Sequence, residues 1–475
     1  MKRNKGALID ISKKTFIEVT VFLLIILIAA IILTYVIPKG EFGLLPDGGT
    51  DYLAYNVLEG EKGISIWKGL LAPILVFGSE NGLTLIMLSL FLTIVFASFQ
   101  VMNDVGGIRV LVGAIASRFR KRRMILLAAL TLVFMCFGAF LGLFEEMLAL
   151  LPIVTALTVL VGFDSFTGFL VSVIACGFGF ASAITNPFTV LLASEIIGAN
   201  PMENIWYRVV IFAVMYLIMF AFVLLYVNRI RKDPSKSYTL AHDQKLRESS
   251  AVAAGDESPA DEKRIRITYI VFLLVCFALL ITCSAVEALR DYTVVALIAY
   301  FLIFGIIAGL ICTRSAKPVF KSFLKGVIGA LPTIVFIALA SSVKYVFDEG
   351  HIMPTIVHWI NGAVAGRDLF VIALVLYAII LVLEFFVSSS TAKAILVMGM
   401  LTVVNVGLSK QMLVLIYTFA DGYTNLIFPT SPVLLIGLSM IELDYFKWIK
   451  RSWPLFRVNL AAVLAFLALG IAIGY

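Results

Sequence analysis

Long apolar runs separated by short charged ones dominate the chain. A helix that crosses a bilayer needs about 20 mostly apolar residues. Segments 16–37, 82–102, 206–228, 266–284, 292–312, 326–347 and 456–475 each meet that requirement. Four further apolar regions, 124–161, 164–198, 369–406 and 411–441, are too long for one helix and are interrupted by polar or helix-breaking residues. The first and third read as re-entrant hairpins, the second and fourth as broken helices that still cross. Two shorter amphipathic stretches, 106–117 and 352–364, fit helices lying in the interface. The pattern predicts an all-α polytopic membrane protein with about nine spans, two hairpins and two broken helices.

Composition agrees. Hydrophobic residues make up 61% of the 475 and charged residues 14%, where a soluble domain carries about a quarter charged. Only a bilayer can act as solvent for so much apolar surface. The net charge of +7 would suggest nucleic acid in a soluble protein, but here Lys and Arg cluster at segment ends, where they set orientation. Lys2, Arg3, Lys5, Lys13 and Lys14 put the N-terminus in the cytoplasm of a plasma (bacterial inner) membrane. With 124–161 as a hairpin, the clusters Arg118–Arg123, Arg229–Lys232, Lys317–Lys325 and Lys447–Arg451 all fall on that side. A single crossing there would strand Arg229–Lys232 outside; two full crossings would satisfy the charges equally well. The stretch 16–37 is too long for a signal-peptide core and reads as a retained span. Five cysteines in apolar stretches, without paired spacing, support neither a disulfide framework nor a zinc site.

The domain plan follows: an N-terminal helix and external loop (1–65), a first repeat (66–231), a hydrophilic, disordered cytoplasmic linker (232–265), scaffold helices (266–317) and a second repeat (318–475). An offset of 245 residues lays Gly177 on Gly422 and Thr185-Asn186-Pro187 on Thr430-Ser431-Pro432. Each half runs span, interfacial helix, hairpin, broken helix, span. The charges start the first set outside and the second inside, so the repeats are inverted, as in many secondary transporters.

Irregular backbone at membrane depth survives only around protein or a water-filled cavity. Four places call for it: the tip Gly142–Glu146, the break Ser182–Pro187, the tip Ser388-Ser389-Ser390-Thr391, and the break Asp421-Gly422-Tyr423-Thr424-Asn425 with Phe428–Pro432. Asn186 can cap a half-helix opened by Pro187, and Ser431 one opened by Pro432, after Pro429. Such half-helices point free N–H groups inward. Carbonyls released at the breaks suit Na+, for which Asn186 and Ser389 mark candidate positions, or a substrate ammonium. The candidate substrate- or ion-binding set is Glu145, Glu146, Thr185, Asn186, Ser388, Ser389, Ser390, Thr391, Asp421, Gly422, Thr424, Asn425, Thr430 and Ser431. Glu145, Glu146 and Asp421 have no basic residue close in sequence, and a buried carboxylate costs a few kcal/mol, so each is expected to meet a cation, a proton or polar groups. Isolated Ser and Thr elsewhere read as bonding the preceding turn. Glu384 divides evenly between pocket and interface; His351 and His358 read as surface residues. No activated nucleophile and no helix-spaced metal set occurs, so neither an enzyme nor a resident cofactor is expected. Converging half-helices fit occluded binding better than a channel.

Three motifs carry a resemblance: Gly142-Leu143-Phe144-Glu145-Glu146, Gly179-Phe180-Ala181-Ser182-Ala183-Ile184-Thr185-Asn186-Pro187-Phe188-Thr189-Val190, and Asp421-Gly422-Tyr423-Thr424-Asn425-Leu426-Ile427-Phe428-Pro429-Thr430-Ser431. In them the chain resembles the YfcC-like branch of the C4-dicarboxylate anaerobic carrier (DcuC) family, within the ion transporter superfamily. It departs at the second tip, where the family usually has a Pro-Ser-Gly-Ser-Gly-like run and this chain has Val387-Ser388-Ser389-Ser390-Thr391. The resemblance implies an elevator mechanism, often in a homodimer, and cargo among dicarboxylates, basic amino acids exchanged by antiport, or related compounds. Three acids and no Lys or Arg in the motifs put a basic amino acid such as arginine or ornithine first. A C4-dicarboxylate coupled to Na+ or H+ comes second.

Overall fold

The computed structural model describes residues 13–44, 50–58, 63–79, 82–119, 121–252, 259–290, 292–364, 367–386, 390–403 and 407–475. It is all-α apart from one two-stranded antiparallel ribbon, β1 (Gly40–Leu44) with β2 (Thr50–Val57), in the loop after the first helix. Among the described residues eight helices are long and apolar enough to cross a membrane: α1 (Lys13–Val36), α2 (Gly82–Asp104), α4 (Arg123–Leu141), α8 (Ile205–Lys232), α10 (Pro259–Ala285), α11 (Thr293–Thr313), α12 (Ala316–Glu349) and α18 (Tyr445–Ala472). Seven of these are the expected continuous spans. The eighth, α4, is the first arm of the expected hairpin, and its length alone would allow it to cross.

The shorter elements fall at the irregular regions. The first hairpin returns through α5 (Met147–Val161); α6 (Ser165–Ala181) and α7 (Pro187–Ile197) are the first broken helix. In the second half α14 (Leu369–Phe386) and α15 (Ser390–Val403) are the hairpin arms, and α16 (Lys410–Thr424) and α17 (Pro432–Met440) the broken helix. The interfacial stretches are helical as expected: α3 (Gly107–Phe119) and α13 (Met353–Val364).

The linker departs from expectation. Residues 240–252 form helix α9, and α10 begins at Pro259, inside the stretch read as disordered. The reason is hydrogen bonding to a distant helix that hydrophilic composition does not reveal. Asp243 is buried and accepts from Ser165 N at 3.0 Å and Thr239 Oγ1 at 2.9 Å, pinning α9 beneath the start of α6. Residues 253–258 lie outside the description.

Helix faces record the solvent. On α1, Leu23, Leu27 and Ala30 are buried while Ile17, Val21, Ile25, Ile28 and Ile32 are exposed. Both faces are apolar, which only lipid on one side makes stable. Helices α1, α2, α10, α11 and α12 pack chiefly on one another, as where Ser98 Oγ of α2 donates to Phe301 O of α11 at 3.0 Å. The hairpins and broken helices form a second group, with α6 and α16 almost wholly buried at its centre.

Candidate functional site

The two broken helices cross at their Gly-containing ends. A Cβ added at Gly422 of α16 would lie 2.2 Å from Ala181 Cα of α6, and one at Gly177 of α6 would lie 2.4 Å from Leu426 Cδ2. Positions 177 and 181 map onto 422 and 426 at the 245-residue offset, so the two contacts are reciprocal. The rings of Phe178 and Tyr423, also 245 apart, meet edge to face with centroids 5.3 Å apart. A residue meeting its own counterpart is what a two-fold axis between like elements produces.

At the first break, α6 stops at Ala181 and Pro187 opens α7. Ile184 N and Thr185 N both donate to Ala139 O, at 3.0 and 3.1 Å. The wholly buried Asn186 caps α7 as expected, its Oδ1 accepting from Phe188 N at 2.9 Å while its Nδ2 donates to Gly138 O at 3.2 Å. The first tip therefore sits directly on the first break. Gly142, at φ 68°, turns the tip in a conformation that L residues avoid, and a Cβ there would meet Asn186 Oδ1 at 2.6 Å. A Na+ ion near Asn186 would compete with this capping bond. Arg208, 3% exposed on α8, donates to Ala183 O at 3.4 Å; a guanidinium thus serves one carbonyl that the sequence assigned to a bound cation. At the tip, Glu145 is exposed and Glu146 half-buried, and neither has an ion-pair partner among the described residues.

The second break holds a charged cluster. Asp421 does have a cation: Lys393 Nζ of α15 lies 2.7 Å from Asp421 Oδ1 and also contacts Glu384 of α14, all three being 0–2% exposed. Lys393 stands two residues beyond the second tip, outside the motifs, and with Ser390 it gives Asp421 the cation and polar partner expected of a buried carboxylate. Glu384 is a core residue, not an interfacial one. Ser390 Oγ donates to Asp421 Oδ2 at 2.7 Å, and Tyr417 OH donates to Ser390 O. The second tip is thereby tied to the second break. The sequence signal for Lys393 was available: an ionisable residue at membrane depth is presumed paired, and Glu384 lies in the preceding hairpin arm.

Other candidates are structural. Thr424 Oγ1 bonds back to Ala420 O and Asp421 O at 2.9 and 3.1 Å, and Asn425 Nδ2 donates to Asp421 O at 2.9 Å. Gly422 is a packing residue at the crossing. Ser431 stands at the N-cap position before Pro432 but makes no side-chain cap, and its buried Oγ has no partner among the described residues; the capping expected of it does not occur. Thr430 and Pro429 are buried beside it, and Thr185 is half-buried. Ser388, Ser389 and the Thr391 side chain lie outside the described residues. His358 stacks on Tyr55 with centroids 4.0 Å apart, and no group of three or more metal-ligating side chains occurs among the described residues. Half-helix α7 packs on α15 of the second hairpin, and α17 on α5 of the first. The first tip, Ser390 of the second and the two breaks are therefore assembled around one crossing.

The sequence model of the family described as "C4-dicarboxylate anaerobic carrier" matches residues 17–472. The chain belongs to this family. Within the C4-dicarboxylate anaerobic carrier family, the chain is 26% identical over 389 residues to "Putative basic amino acid antiporter YfcC" of Escherichia coli (strain K12), covering 79% of this chain and 75% of that one. It is 23% identical over 486 residues to an uncharacterized protein of Haemophilus influenzae, covering 93% and 95%. Among solved structures, the YdaH transporter of Alcanivorax borkumensis aligns over 96% of this chain and 99% of its own, at 14% identity and a TM-score of 0.44. MtrF of Neisseria gonorrhoeae, described within a class of antimetabolite efflux pumps, aligns over 94% of each chain at 14% identity and 0.41. Family membership and the eight apolar helices make this a multi-pass membrane protein of a transporter family.

Proposed function

We propose that the chain is a secondary carrier that moves a small polar metabolite by alternating access, with a basic amino acid as first candidate cargo. The observation that carries this is the assembly of the first tip, Ser390 of the second and both breaks around the α6–α16 crossing. Backbone can leave the helix at that depth only where protein or a cavity receives it. The reciprocal contacts at Gly177 and Gly422 support two inverted repeats. The division of helices into two packed groups supports an elevator, in which the hairpin group slides past α1, α2 and α10–α12, in a homodimer. Transport is ion-coupled or proceeds by antiport. Glu145 and Glu146, without ion-pair partners among the described residues, suit a cationic cargo, and the name of the Escherichia coli relative points the same way.

Lys393 favours the second reading, a C4-dicarboxylate. A cargo carboxylate that displaces Glu384 or Asp421 would meet a buried ammonium, and the family description names that class. Uptake of labelled arginine against labelled succinate by proteoliposomes, with and without Na+, separates the two. Saturable uptake of arginine alone supports the first reading, and of succinate alone the second; uptake of neither under any gradient overturns both.

A further inference from the structure

We infer that Glu384, Lys393 and Asp421 form a proton-loading site that couples the carrier to a proton gradient; this rests on the carrier reading above. Two carboxylates and one ammonium, none more than 2% exposed, leave one uncompensated negative charge away from water. Buried charge of this kind is tolerated when a counter-charge arrives, and a single proton brings the group to neutrality.

The geometry assigns the proton to Glu384. Asp421 is held as a carboxylate by the Ser390 hydroxyl at 2.7 Å and the Lys393 ammonium at 2.7 Å. Glu384 Oε2, like Asp421 Oδ1, has only the ammonium contact among the described residues, and the Ser390 bond to Asp421 Oδ2 is what sets the two acids apart. Other titratable groups facing the triad from packed elements do not supply the missing charge. Lys344 of α12, whose charge acts on Lys393, has its own acid, Asp348, at 3.9 Å, and the Tyr417 hydroxyl donates to Ser390 O. The three members sit on α14, α15 and α16, so any parting of the second hairpin from α16 pulls Lys393 from one of its acids and changes the proton's hold. At the 245-residue offset their first-half counterparts are Ala139, Leu148 and Cys176, so the site belongs to one half only.

Infrared difference spectra of the full-length protein between low and high pH test this without any substrate. The wild type should show a protonating carboxyl band that Glu384→Gln removes. The double variant Glu384→Gln with Lys393→Gln, which leaves Asp421 as a lone acid, should restore such a band. A Glu384→Gln spectrum identical to wild type overturns the inference. In proteoliposomes given labelled arginine or succinate, the ratio of uptake with an inward proton gradient to uptake without one should exceed one in wild type. In Glu384→Gln it should fall to about one, whatever the absolute rate; a ratio kept at the wild-type value overturns the coupling role. Wild-type protein that moves neither probe counts against the carrier reading, while the infrared result still decides whether the triad loads a proton.

Discussion

Gly422→Ala should be more damaging than Gly177→Ala, although the two positions are counterparts across the same crossing. The alanine Cβ at 422 would fall 2.2 Å from Ala181 Cα, 2.4 Å from its Cβ and 2.5 Å from its N. Backbone cannot turn aside, so α6 and α16 must separate by about 1.2 Å to bring 2.2 Å up to the 3.4 Å of ordinary contact. Both helices are buried along this stretch, and overpacking of this kind costs ~1–3 kcal/mol or more. At 177 the obstacles are Leu426 Cδ2 at 2.4 Å and Cγ at 2.9 Å, side-chain atoms of a buried residue that can yield further than backbone, at a cost of about 1–2 kcal/mol. Thermal unfolding of detergent-solubilised protein, followed by loss of the monodisperse peak, measures the difference. Gly422→Ala should melt clearly below Gly177→Ala, and proteoliposome uptake should fall in the same order. Equal melting temperatures for the two variants would refute the crossing geometry.

Removing the ammonium by Lys393→Met strands two buried carboxylates and should destabilise by ~3–5 kcal/mol; adding Asp421→Asn should recover part of the loss in the same melting assay. Asn186→Ala removes the cap of α7 and the donor to Gly138 O, an expected loss of ~1–2 kcal/mol, whereas Asn186→Ser keeps a cap acceptor without adding charge and should lose less. At the membrane-external helix α9, burial holds the Asp243 carboxyl above its ordinary range against the hydrogen bonds from Ser165 and Thr239. A raised carboxylate value means the docked state binds the proton more readily than the undocked one. Docking of α9 is therefore strongest at low pH and weakens as pH rises from the usual carboxylate value through the raised one. Amide exchange over 240–247, corrected for the intrinsic rate, should speed up across that window in wild type and show no such step in Asp243→Asn.

Much of the architecture was legible because lipid imposes a simple rule on length and polarity. Seven continuous spans, the two amphipathic helices α3 and α13 and both broken helices fall where the apolar pattern puts them, and Asn186 caps α7 as its neighbour Pro187 suggested. The failures have a common physical cause. Lys393, Glu384 and Arg208 satisfy groups that are distant in sequence, and partnerships of that kind leave no local periodicity. Asp421 looked isolated because its cation lies 28 residues away, on another helix. The fold of α9 was hidden for the same reason: Asp243 is bonded to Ser165, 78 positions earlier. Ser431 shows the converse, a residue in the right place for a cap whose hydroxyl does not make it.

Counterflow into proteoliposomes loaded with unlabelled arginine or succinate tests the carrier account most directly. The wild type should accumulate the matching labelled compound transiently and saturably. A Glu145→Gln, Asp421→Asn double variant that reconstitutes with the same melting profile should lose that signal. Equal counterflow in wild type and double variant, or unsaturable flux at conductance-level rates, would contradict the account.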